Sequence, residues 1–83
     1  MKDVRKEIQN DHKRLLENMM LLQKIYSVNE LAEALGVSRN TWTNRMKQPW
    51  RDFSYDDFRS ISRYCNIDFT ALMDGELKIG GVQ

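Results

Sequence analysis

A glycine at position 36, with a helical pattern on each side of it, most constrains how this chain can fold. The apolar residues before it recur with the i, i+3, i+4, i+7 spacing of an amphipathic helix: Val28, Leu31, Ala32 and Leu35. Gly36 predicts the end of that helix, because glycine accepts the left-handed conformation of a helix C-terminus. Only Val37 then precedes Ser38, a favourable N-cap for a second helix. Two helices joined by so short a turn cannot lie antiparallel, so we expect them to cross steeply.

The second predicted helix has two different sides. Trp42 and Met46, four residues apart, predict its buried side. Polar side chains at i, i+1, i+4, i+5 and i+8 share the opposite side: Arg39, Asn40, Thr43, Asn44 and Lys47. This arrangement over residues 27–47 is typical of a helix-turn-helix, whose natural partner is the major groove of DNA.

The rest of the chain predicts further helices and one domain. Only four glycines and one proline occur in 83 residues, and no long stretch alternates with period two, so we expect an all-α protein. Residues 3 to about 25 form one helical pattern, sparse in apolar residues up to His12 and dense from Leu15. Two more helices are predicted over 55–65 and 69–74. Pro49 predicts a loop over 48–53. The result is a compact five-helix bundle with an extended N-terminal helix, comprising residues 1–76, and a flexible C-terminal tail, 77–83.

Four helix starts share one local device, the hydrophobic staple, in which a cap residue lies between two apolar residues five apart. The pairs are Tyr26 and Leu31, Val37 and Trp42, Phe53 and Phe58, and Ile67 and Leu72. The caps between them are Ser27, Ser38, Ser54 and Asp68. Ser27 with Glu30 also predicts a capping box, and Ser54 with Asp57 predicts a weaker one.

The charge pattern indicates which polar side chains in and after the second helix could bind DNA. Net charge is only +1, but residues 38–51 carry four cations and no acid, which suits several phosphate contacts. The predicted DNA-binding residues are Ser38, Arg39, Asn40, Thr43, Asn44, Lys47 and Arg51. Arg39 and Asn40 open the second helix where base edges are nearest, and Thr43 and Asn44 follow one turn later. Lys47 and Arg51 are interpreted as phosphate contacts, since flexible cations position a protein without specifying a sequence. Ser38 serves as cap and phosphate donor. For Arg39 and Asn40, the alternative interpretation is an ordinary solvent-exposed helix face.

Composition argues against other classes. A single cysteine, Cys65, rules out an internal disulfide framework, and we interpret it as a small buried hydrophobe. One histidine, His12, does not make a metal site. No pattern of catalytic residues is evident, so we expect neither an enzyme nor a cofactor. The absence of a signal peptide or membrane-spanning run predicts a cytoplasmic protein. Trp50 fits either packing against the domain or exposure at an interface.

The motif resembles the Cro and phage-repressor class of helix-turn-helix proteins, also called the XRE-like family. Its residues here are Leu31, Ala32, Leu35, Gly36, Val37, Ser38, Thr41 and Trp42. Residues 46–68 resemble the loop and closing helix of the same family. The resemblance implies a lambda-repressor-like fold and a transcriptional regulator of a bacterium, phage or mobile element. Such a protein acts as a homodimer on a pseudo-palindromic operator, with helix 38–47 in the major groove and no small-molecule ligand.

Two positions depart from the family pattern. Members often place glutamine, which touches a phosphate, at the first position of the first motif helix, where this chain has Val28. The phosphate contact made by this glutamine is then lost, or it is made instead by Asn29 or by the backbone N–H groups after Ser27. An inward site late in the second helix is often apolar and is Arg45 here. Either the helix is rotated, or Arg45 lays its stem on the core and its head on a phosphate.

Two other functions stay open at this point. A small helix-turn-helix protein can be a protein-interaction module, such as an antirepressor or modulator, or the antitoxin of a toxin–antitoxin pair. For a homodimer, the preferred surface is the last helix with Leu77 and Ile79. The other candidate is the N-terminal half of the first helix, with Val4 and Ile8.

Overall fold

The computed structural model describes residues 4–75 and Leu77, and these ranges contain six α-helices and no strand. The helices are α1 (Val4–Tyr26), α2 (Val28–Leu35), α3 (Arg39–Arg45), α4 (Pro49–Asp52), α5 (Tyr55–Cys65) and α6 (Phe69–Asp74). The all-helical prediction is confirmed, but the count of five helices is wrong. The predicted first residue of α1, at position 3, lies outside the described residues.

The additional helix is α4, a single turn where the sequence predicted a loop. Pro49 does end the preceding segment, as expected, but it also occupies the first helical position of α4. Proline is favoured there, because the missing N–H would have had no partner in the helix and the fixed φ already suits it. Pro49 is also fully buried, so packing supports the turn.

The four predicted caps are confirmed. Ser27, Ser38, Ser54 and Asp68 each accept a backbone N–H bond three residues ahead. The predicted ranking of the capping boxes is wrong. The complete box is at Ser54, where Asp57 Oδ2 accepts from the Ser54 N–H at 3.0 Å. At Ser27 the hydroxyl accepts from the Glu30 N–H, but the return bond is missing because the Ser27 N–H donates to the Gln23 carbonyl at 3.2 Å. The Glu30 carboxylate accepts instead from the Ser27 hydroxyl at 3.5 Å and from the Tyr64 hydroxyl at 3.0 Å.

One hydrophobic core lies between α1 and the other helices. α1 packs on α6, α4 and α2, and α5 packs on α2 and α6. The fully buried large side chains of this core are Met19, Leu22, Leu31, Trp42, Ile61 and Leu72. Cys65 is buried, as predicted. α1 therefore forms the scaffold against which the shorter helices are arranged.

The N-terminal part of α1 continues the apolar stripe past the core. Leu15 is the first buried residue of α1. Val4 is 58% exposed and Ile8 45% exposed. At the other end of the chain, Leu77 is buried in the core, whereas the remainder of the predicted tail, with Ile79, lies outside the described residues.

Candidate nucleic-acid interface

The turn between α2 and α3 spans three residues and is fixed by backbone hydrogen bonds. Gly36 has φ +70°, the left-handed conformation that the sequence predicted. Its N–H donates to the Glu33 carbonyl, and the Val37 N–H donates to the Ala32 carbonyl, each at 3.0 Å. Together these bonds close the C-terminus of α2 in the manner of a Schellman motif. α3 then begins immediately after Ser38.

α3 lies at the edge of the molecule. Its backbone is close to α2 and α4 but not to α1 or α5. Only Trp42 among its residues is fully buried, and Trp42 meets Phe53 edge-on with ring centroids 5.0 Å apart. Met46 is half-buried and follows the end of the helix. The Trp42 indole therefore makes most of the contact between α3 and the core.

The outer face of α3 consists of Arg39, Asn40, Thr43 and Asn44, all exposed as predicted. We call these four residues, together with Lys47, the polar face. Within the described residues, none of the five side chains has a hydrogen-bond or ion-pair partner. Lys47 is exposed in the turn two residues beyond the end of α3, so the predicted helix 38–47 is too long. Donors and acceptors on this face are available to a ligand without a competing bond.

Ser38 and Arg51, the two remaining predicted residues, flank the polar face and already have partners. The Ser38 hydroxyl accepts from the Thr41 N–H at 3.1 Å and donates to Thr41 Oγ1 at 2.9 Å. Arg51 lies on α4 and donates from Nε to Asp52 Oδ1 at 2.9 Å. This bond raises the pKa of Arg51 and, with the charge of the guanidinium, holds the pKa of Asp52 below its usual value. Both side chains are exposed enough to exchange these partners for a phosphate.

Arg45 does not point to a phosphate. Its guanidinium donates to Asp57 Oδ2 on α5 at 3.0 Å and lies over the Phe53 ring, 5.9 Å from its centroid. The side chain is 31% exposed. A carboxylate inside the same chain holds the head of Arg45 on the inward side of α3, so a phosphate contact would require this ion pair to break.

The sequence reasoning missed two residues that hold α3. Gln23 on α1 accepts from the Trp42 indole N–H, with 2.6 Å between Oε1 and Nε1. Asp57 was recognised as a cap but not as the partner of Arg45. No local signal marks Gln23, whereas the inward position of Arg45 does require a buried or half-buried anion nearby.

α4 also connects the neighbourhood of α3 to α1. The Trp50 ring stacks on His12 with centroids 4.5 Å apart and planes 6° from parallel. Trp50 therefore packs against α1, one of the two alternatives that the sequence left open, and keeps 37% of its surface exposed. The stack is where the projecting part of α1 first meets the body of the protein.

Within the described ranges, no group of His, Cys, Asp and Glu side chains could hold a metal ion. None of the helices described is both long and apolar enough to span a membrane. No protein-family model, curated protein or solved structure matches the chain.

Proposed function

We propose that this chain is a sequence-specific DNA-binding transcriptional regulator of the Cro and phage-repressor type, with α2 and α3 as its helix-turn-helix. The observation that carries the proposal is the polar face. Its five side chains share one exposed side of α3 and the following turn, and they have no partner among the described residues.

The proposed binding mode places α3 in the major groove with its N-terminus toward the base pairs. Arg39 and Asn40 then lie nearest the base edges, where guanidinium binds guanine and carboxamide binds adenine in bidentate fashion. Thr43 and Asn44, one turn later on the same side, reach the adjoining base pairs. Lys47 and Arg51 flank the helix and contact phosphates.

The ion pairs predict a modest electrostatic contribution. Of the four cations in residues 38–51, Arg45 is held by Asp57, and Arg51 is paired with Asp52. Arg39 and Lys47 therefore supply most of the positive charge, with Arg51 available by exchange. Each protomer should neutralise about two or three phosphates, so a homodimer on two half-sites should show a slope of log K against log salt of about −4 to −5.

A homodimer is part of the proposal, because one recognition helix reads too few base pairs for useful specificity. Two copies would read half-sites about 34 Å apart. The sequence favoured a dimer surface formed by the last helix with Leu77 and Ile79. Leu77 is buried in its own chain and is therefore not available to a second copy. Val4 and Ile8 on the projecting part of α1 are the exposed apolar candidates that remain.

The test is selection of duplexes from a random DNA pool, followed by fluorescence anisotropy on the selected duplex and on a random one at several salt concentrations. We expect an enriched sequence with two related half-sites, tighter binding to it than to the random duplex, and the salt dependence given above. Selection that enriches no sequence would contradict the proposal.

The exposed stripe at Val4 and Ile8 also favours a second function, that of a protein-interaction module such as an antirepressor or an antitoxin. In that case the stripe would bind another protein, and the polar face would be a solvated surface. A variant with Val4→Ser and Ile8→Ser separates the two. It should lose dimerisation and operator affinity together if the stripe joins two copies. If the stripe serves a different protein, the wild type binds no operator and the variant keeps the oligomeric state of the wild type.

A further inference from the structure

Two side-chain hydrogen bonds connect α3 to helices that its backbone does not approach. Trp42 reaches α1, where its indole N–H donates to Gln23 Oε1 at 2.6 Å. Arg45 reaches α5, where its guanidinium donates to Asp57 Oδ2 at 3.0 Å. The two anchoring residues of α3 are three positions apart, so they lie on the same, inward side of the helix, nearly one turn apart.

The Asp57 oxygen is itself held rigidly. The same Oδ2 accepts the Ser54 N–H at 3.0 Å, and the Asp57 N–H donates to Ser54 Oγ at 3.1 Å. Asp57 is therefore fixed by the start of α5 before it binds Arg45. The Phe53 ring contacts both anchoring residues, since it meets Trp42 edge-on and lies under the Arg45 guanidinium.

A helix of seven residues with one fully buried side chain can rock about that side chain. The bond to Gln23 fixes the indole at this pivot, and the bond from Arg45 to Asp57, nearly one turn away, opposes tilting about it. Base reading requires that side chains keep hydrogen-bond geometry with the edges of successive base pairs, so the tilt of a recognition helix affects specificity directly.

From this geometry we infer that Gln23 and Asp57 are positioning residues, which set the tilt at which α3 presents its polar face. The effect of these two residues on the tilt of α3 does not depend on what the protein binds. Its consequence for base reading rests on the proposed DNA-binding function. Neither residue touches DNA in the proposed binding mode, and both act through Trp42 and Arg45.

The experiment uses the full chain with Gln23→Met and Asp57→Asn. Methionine keeps the length of the side chain and removes the acceptor. Asparagine keeps the shape and the oxygen that accepts the Ser54 N–H, and removes the negative charge, which weakens the link to Arg45 from an ion pair to a neutral-acceptor hydrogen bond. Gln23→Glu restores an acceptor and is the rescue variant. Tyr26→Phe is the matched control, since it removes an inter-helix hydrogen bond, from the Tyr26 hydroxyl to the Cys65 carbonyl, that does not involve α3.

The first readout needs no DNA. Backbone residual dipolar couplings measure the orientation of each helix, and we expect the couplings of α3 to change as a set in Gln23→Met and Asp57→Asn. Those of α1 and α5 should stay as in the wild type, and all helices should keep their couplings in Gln23→Glu and Tyr26→Phe. Unchanged α3 couplings in both test variants would overturn the inference, whatever the protein binds.

The second readout is the ratio of affinities for the selected and the random duplex. We expect the ratio to fall about tenfold in the two test variants, equivalent to the loss of one good base contact, with binding to the random duplex unchanged. The rescue and control variants should keep the wild-type ratio. If Asp57→Asn instead strengthens random binding and steepens its salt dependence, Arg45 is a masked phosphate contact and the positioning role is wrong. If the wild type selects no sequence, the proposed function fails, and the dipolar couplings still decide the structural inference.

Discussion

The side-chain amide of Asn18 on α1 donates to the carbonyl oxygen of Gly75, 2.9 Å away, just beyond the end of α6. The same nitrogen lies within hydrogen-bond distance of the Ala71 and Leu72 carbonyls. Asn18 is buried, so these contacts satisfy carbonyls at a helix C-terminus that water does not reach freely. α6 is thereby capped by a side chain from a helix more than fifty residues earlier in the chain.

Replacing Asn18 with leucine should lower the free energy of unfolding by about 1–3 kcal/mol. The apolar side chain preserves the volume but leaves carbonyls of α6 without a buried donor. Urea unfolding followed by circular dichroism gives the difference. Arg14→Ala is the control, because it removes an exposed hydrogen bond to the Asp74 carbonyl at the same helix end and should cost far less. Equal losses in the two variants would contradict the role assigned to Asn18.

Ser27 has φ +75° and ψ 152°, a conformation that is nearly restricted to glycine. Ser27→Gly should therefore stabilise the protein by about 1 kcal/mol, because relief of backbone strain exceeds the small loss when glycine replaces a serine cap. Ser27→Ala keeps the strain, loses the cap and should destabilise by about 1 kcal/mol. Both are measured by urea unfolding. A glycine variant no more stable than the alanine variant would show that the strain is absent.

Trp42→Ala should cost about 3–5 kcal/mol, since it empties a fully buried site and removes the main contact of α3 with the core. That loss is a large part of the stability of a small domain. Trp42→Phe keeps an aromatic ring beside Phe53 and loses the bond to Gln23, so it should cost less. Thermal unfolding of the three proteins provides the comparison, and an alanine variant that melts with the wild type would mean that α3 is packed differently.

Arg39 and Lys47 should respond differently to truncation if the proposed function is correct. Arg39→Ala should weaken binding to the selected duplex by about 1–3 kcal/mol and relax preference at one base position. Lys47→Ala should weaken selected and random duplexes alike and reduce the magnitude of the salt slope by about one for each bound protomer. Fluorescence anisotropy at several salt concentrations measures both. An equal loss on both duplexes for Arg39→Ala would leave that residue with a charge role only.

Burial of Cys65 raises the pKa of its thiol from 9.0 to about 11. The folded state therefore holds this proton more tightly than the unfolded state does. Stability linked to the thiol is fully present below the unfolded pKa and is lost as pH rises from about 9 to about 11. Unfolding free energies at these two pH values should fall by about 1–2 kcal/mol more in the wild type than in Cys65→Ala, which has no thiol to ionise. The same pH dependence in both proteins would refute the assignment to Cys65.

The helix starts and the turn at Gly36 could be read from the sequence because their causes are local. Each cap bonds to a backbone N–H three residues ahead, and Gly36 adopts the positive φ at the end of its own helix. The signal for α4 is also local, because Pro49 both disfavours helix at the residue before it and favours a new helix start, and the loop prediction uses only the first effect. The exposure of the polar face also follows from helical periodicity, since Trp42 determines which side of α3 turns inward.

The partners of the long side chains were decided only by the tertiary structure. Arg45 in the sequence belongs to a run of cations without acids, yet α5 brings Asp57 to within 3.0 Å of it and removes it from the polar face. Asn18 and Gln23 gain their roles in the same way, from α6 and α3 respectively. A helix specifies through its own residues where it begins and which face is apolar. Which polar groups meet depends on how several such faces pack together, a property of the whole core that no local stretch of sequence contains.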